Sequence, residues 1–413
     1  RICWSQIKLC IWIFNMLSKR RVSMSPDAGP VLIGALSGRA LASAAVAASM
    51  PVVVLDVFGD MDMRACASDW GRVGNAQNGF DRSVLLEAAE RLCPPDRCSG
   101  LVYGAGFESC PDVLAELAEN RDLLGNDPYL LERMGLPECF FSMLEQLGIP
   151  YPAISYLRPQ NTRGWLAKRA GASGGGHVRT ARQIANEGGY YFQRKIQGRI
   201  MSVLFLANGR EASIVGISEQ WNAAVLKERP YSYGGAVSDQ AVSQRLRADL
   251  RYAINACVEK AGLCGLNSMD LVVDGERFQV LEINARPTAS AELYESGSAE
   301  SLFKLHIQAC RGKVPPDRKP GSRSYAQLVV YAEQRLKVPH GFRWPNWCSD
   351  RPPAETPIDA GEPLCMVHAS GTGALELHGF LERRRRFVCR ALTSQLSKPH
   401  AVPGMAGGRA CQP

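Results

Sequence analysis

The 413-residue sequence lacks the features that would identify a membrane, secreted or zinc-binding protein. Its 14 cysteines are scattered, with no Cys-x-x-Cys pair and no neighbouring His pair, which argues against a zinc site or a redox dithiol. The apolar stretch at 2–16 contains Lys8 and falls short of the about 20 residues that a spanning helix needs. Its basic cluster follows the apolar stretch, whereas a signal peptide carries its positive charge first. We therefore expect a cytoplasmic protein whose cysteines are mostly reduced core residues.

The composition also excludes collagen-like, low-complexity and disordered proteins, since 46% of the residues are hydrophobic and 21% charged. The net charge of +8 comes from the two ends of the chain. Residues 1–24 carry five basic side chains and residues 383–413 carry seven, and neither stretch has an acid. The remaining body has a charge of −4. We expect no nucleic-acid or membrane partner, although a small basic pocket could still hold a nucleotide.

The pattern of hydrophobic and turn residues predicts several domains, which the length also favours. Because the chain begins without Met, we expect the biological start at Met16 or Met24. The expected parts are a non-native or disordered extension at 1–24, an α/β domain at 25–125, a second domain at 126–310, a β-rich module at 321–392 and a disordered tail at 393–413. The sequence does not determine the oligomeric state, and a homodimer is compatible with it.

The opening of the first domain predicts a parallel α/β layer. A buried strand, a glycine turn, an Ala-rich helix and a second buried strand follow one another over 31–56, and 100–103 predicts a third strand. Gly34 and Gly38 lie in the first strand-to-helix turn. The turn is either a tight connection without a ligand or a place where helix N–H groups meet an anion, since the glycines do not complete a dinucleotide fingerprint.

A lysine followed by a glycine-rich loop is the first element that could carry chemistry. Lys168 ends a predicted strand, and Gly171, Ser173, Gly174, Gly175 and Gly176 follow it. Three consecutive glycines permit positive φ angles and let bare N–H groups approach a polyphosphate. The order differs from a Walker loop, because the lysine precedes the glycines. The alternative is a flexible surface loop.

The second element is a β-hairpin that carries Asp270, Glu282 and Asn284. A three-residue loop at 274–276 pairs Val273 with Arg277, and this register places the apolar side chains on one face and the three polar ones on the other. Asp270 and Glu282 are then diagonal neighbours about 7–8 Å apart at the backbone.

Such an oxygen-only set would hold Mg²⁺ or Mn²⁺ together with water and phosphate oxygens. Arg286 reaches the same place and offers a planar fork to phosphate or to a developing oxyanion. The alternative is a solvated sheet face with surface ion pairs.

Taken in order, the lysine and glycine loop, the strand ending QRKIQG and the segment DLVVDGERFQVLEINARP resemble the ATP-grasp superfamily. The resemblance covers about 127–310. It implies a mixed α/β and α+β architecture: an ATP-grasp fold with its lid subdomain at about 155–200, a preceding Rossmann-like parallel α/β domain, and a small C-terminal β-rich module. Within the superfamily the chain looks most like a carboxylate-amine ligase group, parts of which are associated with methanofuran or tetrahydromethanopterin biosynthesis.

The resemblance also implies roles for individual residues. Lys168 would contact the α and β phosphates, the lid at 173–176 would cover the β and γ phosphates, and Arg286 would contact the γ-phosphate and the acyl phosphate. The metal ligands would be Asp270, Glu282 and Asn284, holding two Mg²⁺ ions, and the adenine hinge would be Arg194, Lys195 and Ile196. Many family members have an acid in the hinge that holds the ribose, whereas this chain has Arg194 and Gln197. His177 either packs in the lid, which we favour, or touches phosphate.

These implications predict an ATP-dependent enzyme that joins a small carboxylate to a small amine through an acyl phosphate and releases ADP and phosphate. The acceptor site would lie between the first domain and the ATP-grasp domain, beside the loop 221–235. Trp221, Tyr231 and Tyr233 are either substrate-stacking aromatics or structural anchors. The alternatives are a scaffold protein that binds ATP without turnover and a small-molecule phosphotransferase.

Overall fold

The structure is a computed structural model that describes residues 29–184, 188–296 and 298–396. The expected N-terminal extension at 1–24 lies outside the described residues, as does 397–413 of the expected tail. Among the described residues, no helix combines the length and the apolar character needed to cross a membrane.

Ten helices and twenty strands are named below. The helices are α1 Arg39–Ala47, α2 Met61–Cys66, α3 Arg82–Leu92, α4 Pro111–Ala118, α5 Pro128–Gly135, α6 Pro137–Gln146, α7 Gln244–Ala261, α8 Glu292–Glu295, α9 Leu302–Cys310 and α10 Ala374–Leu396. The first ten strands are β1 Val31–Gly34, β2 Val52–Asp56, β3 Asp69–Arg72, β4 Gly74–Asn75, β5 Gly79–Phe80, β6 Gly100–Tyr103, β7 Ile154–Ser155, β8 Trp165–Arg169, β9 Arg179–Thr180 and β10 Tyr190–Arg194. The others are β11 Arg199–Asn208, β12 Ala212–Asn222, β13 Tyr233–Val237, β14 Cys264–Asp274, β15 Arg277–Asn284, β16 Ser324–Tyr331, β17 Leu336–Lys337, β18 Cys348–Ser349, β19 Pro357–Ile358 and β20 Pro363–Gly371.

The first domain contains the predicted parallel sheet, with strand order β3-β2-β1-β6. Strands β1, β2 and β6 are buried along their whole length, as expected for a sheet covered on both faces. The edge strand β3 was not predicted, because none of its four residues is buried. In the turn after β1, the Gly38 N–H donates to the Asp56 carboxylate at 3.3 Å, so a side chain of the protein already occupies that helix end.

A small antiparallel sheet with the order β7-β10-β8-β9 falls in the segment where the resemblance predicts a lid subdomain, and we call it the lid sheet. In it Lys168 lies directly opposite Tyr191, and Ala167 lies opposite Phe192. Cross-strand partners share a face of the sheet. Ala167 and Phe192 pack into a small core, so Lys168 and Tyr191 lie on the opposite face.

The largest sheet is antiparallel and has eight strands in the order β15-β14-β11-β12-β13-β16-β20-β18. Gly235 of β13 pairs with Leu328 of β16, so the C-terminal strands continue the sheet of the second domain. The C-terminal part has its own hydrophobic cluster, against which helix α10 packs.

Helix α10 was not predicted within the β-rich module. Its buried residues Leu377, Leu381, Val388 and Leu392 are separated by four, seven and four positions, which is a helical spacing. The described part of the helix runs to Leu396 and therefore includes the first four residues of the segment 393–413 that we expected to be disordered.

The predicted register of the β14–β15 hairpin is wrong, although its consequence is correct. Asp274 pairs with Arg277, and a β-bulge between Asp270 and Leu271 then places Asp270 directly opposite Glu282. The bulge accommodates Leu281 as an extra residue, so it leaves the core face that we had assigned to it. The alternation of apolar and polar residues cannot reveal the bulge. A bulge shifts the pairing register but leaves the alternation before and after it unchanged.

Candidate functional site

Asp270 and Glu282 lie side by side on the same face of the large sheet. They are cross-strand partners on β14 and β15, and Asn284 lies two residues beyond Glu282 on that face. The Asn284 side-chain amide donates to Asp270 Oδ2 at 3.2 Å. The predicted carboxylate pair is therefore formed, and it is closer than the diagonal arrangement that we expected.

The Asp270 carboxylate is held from a third strand as well. Ser202 on β11 donates its hydroxyl to Asp270 Oδ1 at 2.6 Å, so hydrogen bonds fix both carboxylate oxygens. Burial raises the pKa of Asp270 to about 7, and the negative charge of Glu282 contributes to this rise. Two neighbouring acids in a poorly solvated site favour the binding of a cation.

Arg286 extends the line of polar groups toward the first domain. It is 7% exposed, and its guanidinium donates to Asn284 Oδ1 at 3.3 Å. The same guanidinium is ion-paired with Glu108, which lies in the short 3₁₀ helix Phe107–Ser109 after β6. Glu108 in turn accepts a hydrogen bond from the Gly106 N–H at 2.6 Å. Arg286 is thus oriented by groups from two domains.

Lys168 faces the two carboxylates from the lid sheet. Burial lowers the pKa of Lys168, while the charges of Glu282 and Asp270 oppose that effect. These charges are therefore close enough to influence the ammonium group, yet Lys168 forms no ion pair within the described part of the chain. A buried cation without a direct partner is suited to receive an anionic ligand.

The glycine loop lies against the segment between β12 and β13. Gly174 and Gly175 have φ angles of 73° and 72°, and a Cβ on Gly175 would lie 2.0 Å from the Tyr231 carbonyl oxygen. Only glycine permits this approach without a shift of the backbone. The Tyr233 N–H donates to the Gly174 carbonyl at 3.2 Å, which holds the loop in place.

His177 follows the glycines and faces the site. Together with Ser173, Glu282 and Asn284 it lines a small pocket beneath the loop. Its Nδ1 is buried and has no hydrogen-bond partner in the described segments. Burial lowers the pKa of His177, so the ring is neutral at pH 7. This position favours contact with a ligand over the lid-packing role that we preferred from the sequence.

The predicted hinge connects β10 to β11. The N–H of Arg194 donates to Ala153 and that of Lys195 to Gly164, at 2.8 and 2.9 Å, so both are used within the lid region. The Arg194 side chain is exposed and donates to the Arg163 carbonyl at 3.0 Å. Ile196 and Gln197 follow in the loop, and their proposed contacts with a nucleotide stay predictions.

The structure adds candidate residues that the sequence analysis missed. Gln193 precedes the hinge, is 1% exposed, and its Nε2 has no hydrogen-bond partner in the described ranges. It pairs with Leu166, two positions from the Lys168–Tyr191 pair, and therefore lies on the face that carries Lys168. Glu108 and Ser202 were missed because they become part of the site only through tertiary contacts. The sequence did offer a signal for Gln193, because a polar residue within an otherwise apolar strand indicates a candidate for ligand contact.

A large cavity of about 770 Å³ adjoins the site between the first domain, the second domain and the C-terminal part. Gly174, Arg286 and Tyr233 line it, which agrees with the predicted place of an acceptor site. The other two aromatics have structural contacts: Trp221 packs edge-on against His378, and Tyr231 lies 5.5 Å from the Lys195 ammonium group. Of the three, Tyr233 is the one that lines the cavity.

The donor chemistry of the carboxylate pair indicates which metal it could hold. Asp270, Glu282 and Asn284 offer only oxygen ligands, two carboxylates and one side-chain carbonyl, and burial together with the charge of Glu282 raises the pKa of Asp270. The described residues contain no cluster of three or more His, Cys, Asp or Glu side chains arranged to hold a metal. The donor set therefore fits a hard ion that takes most of its ligands from water and phosphate, such as Mg²⁺ or Mn²⁺.

Comparison with known proteins identifies the architecture around this site. Residues 139–290 match the family model of the ATP-grasp domain. No curated protein matches this chain in sequence.

Solved structures of similar fold cover most of the chain. An L-amino acid ligase from Bacillus licheniformis has a TM-score of 0.63 at 12% identity, over 88% of this chain and 98% of that one. N5-carboxyaminoimidazole synthetase from Staphylococcus aureus, complexed with ADP, has a TM-score of 0.63 at 13% identity, over 88% of this chain and 99% of that one. The biotin carboxylase domain dimer of 2-oxoglutarate carboxylase from Hydrogenobacter thermophilus, in complex with MgADP, ADP and bicarbonate, has a TM-score of 0.61 at 12% identity, over 83% and 86%. The chain has the ATP-grasp fold with a preceding parallel α/β domain.

Proposed function

We propose that the protein is an ATP-dependent ligase that joins a small carboxylate to a small amine through an acyl phosphate. The observation that carries this proposal is the set of Asp270, Glu282, Asn284 and Arg286, which faces Lys168 and a glycine loop beside a large cavity. The similar folds of an amino acid ligase and a carboxyaminoimidazole synthetase support the same class of reaction.

The nucleotide would bind between the lid sheet and the large sheet. Lys168 is buried and positively charged, and would contact the α and β phosphates. The loop at 173–176 would cover the β and γ phosphates, since its glycines let N–H groups approach closely. The hinge at 194–197 and the unpartnered Gln193 amide would contact the base and the ribose.

Asp270, Glu282 and Asn284 would hold Mg²⁺ or Mn²⁺. When bound, the metal neutralises charge on the β and γ phosphate oxygens. Ser202, whose hydroxyl donates to Asp270 Oδ1 at 2.6 Å, would keep this carboxylate oriented for metal binding. Arg286 would stabilise the negative charge on the group being transferred.

The chemistry would proceed in two transfers. A carboxylate oxygen attacks the γ-phosphorus, the bond to the β-phosphate oxygen breaks, and ADP leaves. The neutral amine then attacks the carbonyl carbon of the acyl phosphate, phosphate leaves, and the nitrogen loses a proton to give an amide. The glycine loop would exclude water, which would otherwise hydrolyse the acyl phosphate. No protein nucleophile is needed.

A screen for ADP release tests this proposal. The purified protein with ATP and Mg²⁺ is offered amino acids, including glutamate, together with amines. The panel also includes pterin-like acids, because the chain resembles the group associated with methanofuran or tetrahydromethanopterin biosynthesis. We expect ADP release that requires both an acid and an amine. ATP binding without release would favour the scaffold alternative, and a stable phosphorylated product without an amine requirement would favour the phosphotransferase.

The matched variants are Glu282→Gln and Glu259→Gln. Glu282→Gln removes one charge from the metal site and should abolish ADP release without lowering the thermal unfolding midpoint. Glu259 is an exposed residue of α7, so its substitution should leave both measurements unchanged. Full activity of Glu282→Gln would contradict the assignment of Glu282 to the metal site.

A further inference from the structure

The large cavity has a second charged region besides the one around Arg286. Six carboxylates line the cavity against four arginines, so its lining is net negative. Asp60, Glu292 and Asp350 belong to this set; Asp60 caps α2, Glu292 begins α8, and Asp350 follows β18. The three residues form what we call the acidic subsite.

Two of these carboxylates share a single arginine. Arg39 is 4% exposed and donates to both oxygens of Asp350 at 3.1 Å and to Glu292 Oε2 at 2.7 Å. The side chains of Glu292 and Asp350 stay 24% and 25% exposed, so part of each still faces the cavity. One guanidinium cannot neutralise two carboxylates, and the group keeps one negative charge.

The third carboxylate is the independent sign of a missing ligand. Asp60 lines the cavity and is 2% exposed, and its Oδ1 accepts a hydrogen bond from the Met63 N–H at 2.8 Å. Its Oδ2 is buried and has no hydrogen-bond partner in the described part of the chain. Burial, followed by the charges of Asp350 and Asp62, raises the pKa of Asp60 to about 9, so this carboxyl is protonated at pH 7 until a cation binds beside it. Leaving a buried polar atom unpaired is costly, so such an atom commonly marks a binding position.

The neighbouring basic side chains do not compensate the negative charge of the acidic subsite. Arg351 lies near Asp62, at 3.5 Å between Nε and Oδ1, and His368 has a pKa lowered by burial and is therefore neutral. Asp60 forms no ion pair with any described residue. The acidic subsite thus keeps the one negative charge that Glu292 and Asp350 share, and a bound cation would also displace the proton from Asp60.

We infer that Asp60, Glu292 and Asp350 bind a protonated amino group of one of the two substrates. The identification of this ligand as a substrate rests on the proposed ligase function. An ammonium group has no free electron pair and cannot attack an acyl phosphate while it stays protonated, so we assign the amino group held here as a second, non-reacting one. The substrate is accordingly a diamine or an amino acid, which reacts through another group at the Arg286 end of the cavity. Apolar wall residues such as Phe58 and Met366 would contact its carbon chain.

Matched substrate pairs test this inference by turnover. Pentane-1,5-diamine is compared with pentylamine as the amine, and glutamate with glutarate as the acid. For one of the two pairs we expect the compound with the additional ammonium group to have a KM at least tenfold lower. Asp60→Asn and Glu292→Gln should each raise that KM toward the KM of the compound that lacks the additional ammonium group. The kcat should change less than twofold. Equal KM values in both pairs would overturn the inference and leave the ligase function standing.

The variants are chosen to preserve the fold. Asp60→Asn retains the oxygen that caps α2, and Glu292→Gln retains a hydrogen-bond acceptor for Arg39. The control is Asp359→Asn, a carboxylate of the same cavity that is already paired with Arg335 at 3.1 Å, and we expect it to leave KM unchanged. An equal rise of KM in the control would overturn the assignment to these three residues.

Calorimetry without ATP separates this inference from the ligase function. Pentane-1,5-diamine and glutamate are titrated into the full-length protein and its variants. Binding of either compound that weakens at least tenfold in Asp60→Asn, without ADP release from any substrate pair, would support the subsite and reject the ligase function. Absence of binding by both compounds would overturn the subsite.

Discussion

Arg286 and Glu108 form an ion pair between the second and the first domain of the protein. The two side chains are 7% and 14% exposed, and their residues are 178 positions apart in the sequence. Arg286 also donates to Asn284, which in turn donates to Asp270. The docking of the first domain therefore orients the arginine at the centre of the proposed site, and a bound phosphate would compete with Glu108 for the same guanidinium.

Glu108→Gln should destabilise the protein without nucleotide and increase its stabilisation by MgADP or MgATP. The substitution leaves a buried guanidinium without its charge partner, at a cost of about 1–3 kcal/mol. Nucleotide phosphates would replace the lost negative charge. Thermal unfolding with and without nucleotide measures both effects. Glu116→Gln is the control, because Glu116 forms an exposed ion pair with Arg82 and should change little. Equal stabilisation of wild type and Glu108→Gln would show that nucleotide does not reach Arg286.

Ser202→Ala should raise the Mg²⁺ concentration needed for half-maximal ADP release about tenfold. The serine hydroxyl donates to Asp270 Oδ1, and its loss would leave the carboxylate held by the Asn284 amide alone and less fixed for metal binding. A titration with Mg²⁺ at saturating ATP measures this effect. Ser218→Ala is the matched control, since Ser218 lies directly opposite Ser202 and its hydroxyl donates to the Ser202 carbonyl instead. An unchanged requirement in Ser202→Ala would remove Ser202 from the metal environment.

Gly175→Ala should impair the glycine loop. A methyl group at this position would lie 2.0 Å from the Tyr231 carbonyl oxygen, and the φ angle of 72° is strained for alanine. We expect a rise in the KM for ATP of about tenfold and a loss of about 1–2 kcal/mol in stability. Steady-state kinetics and urea unfolding measure the two effects.

Gly188→Ala is the control for this variant in the lid region. A methyl group on Gly188 would meet no atom of another part of the described chain within 4 Å, and the φ angle of this residue lies outside the left-handed region. We therefore expect it to change neither the KM for ATP nor the stability. If Gly175→Ala and Gly188→Ala had the same KM for ATP and the same stability, the close approach of Gly175 to the Tyr231 carbonyl would not be the reason for glycine at that position.

The buried His306 side chain should make the free energy of unfolding depend on pH in the acidic range. It is 1% exposed, its Nδ1 accepts the Leu266 N–H at 2.8 Å, and its Nε2 donates to the Leu124 carbonyl at 2.9 Å. Burial lowers the pKa of His306 from 6.5 to about 4. The unfolded state therefore binds the proton first as the pH falls. The contribution of the neutral ring is complete above pH 6.5 and is lost as the pH falls toward 4, up to about 3 kcal/mol.

Urea unfolding of wild type and His306→Gln between pH 7 and pH 4 measures this contribution. The variant should be less stable at pH 7, and its stability should fall less on acidification. His340→Gln is the control, since His340 is 73% exposed. If the stability of wild type and that of His306→Gln fell in parallel on acidification, the pKa of His306 would not differ between the folded and the unfolded state.

Local patterns in the sequence determined most of the elements around the site. The apolar runs and glycine turns located β1, β2 and β6, and the alternation of side chains placed Asp270, Glu282 and Asn284 on one face of a hairpin. These properties depend on residues that are close in sequence, so they can be predicted without knowledge of the docking. The order of the motifs also indicated the fold, since the glycine loop, the hinge and the hairpin follow one another as in ATP-grasp proteins.

The tertiary structure alone decided how those elements meet. A β-bulge changed the partner of Asp270, and the docking of the first domain brought Glu108 to Arg286 and Arg39 to Glu292 and Asp350. Periodicity carries no signal for such contacts, because an ion pair between domains depends on the orientation of whole sheets and helices. The unpaired oxygen of Asp60 illustrates the same limit, since its isolation follows from which surfaces enclose it and from nothing in its neighbouring residues.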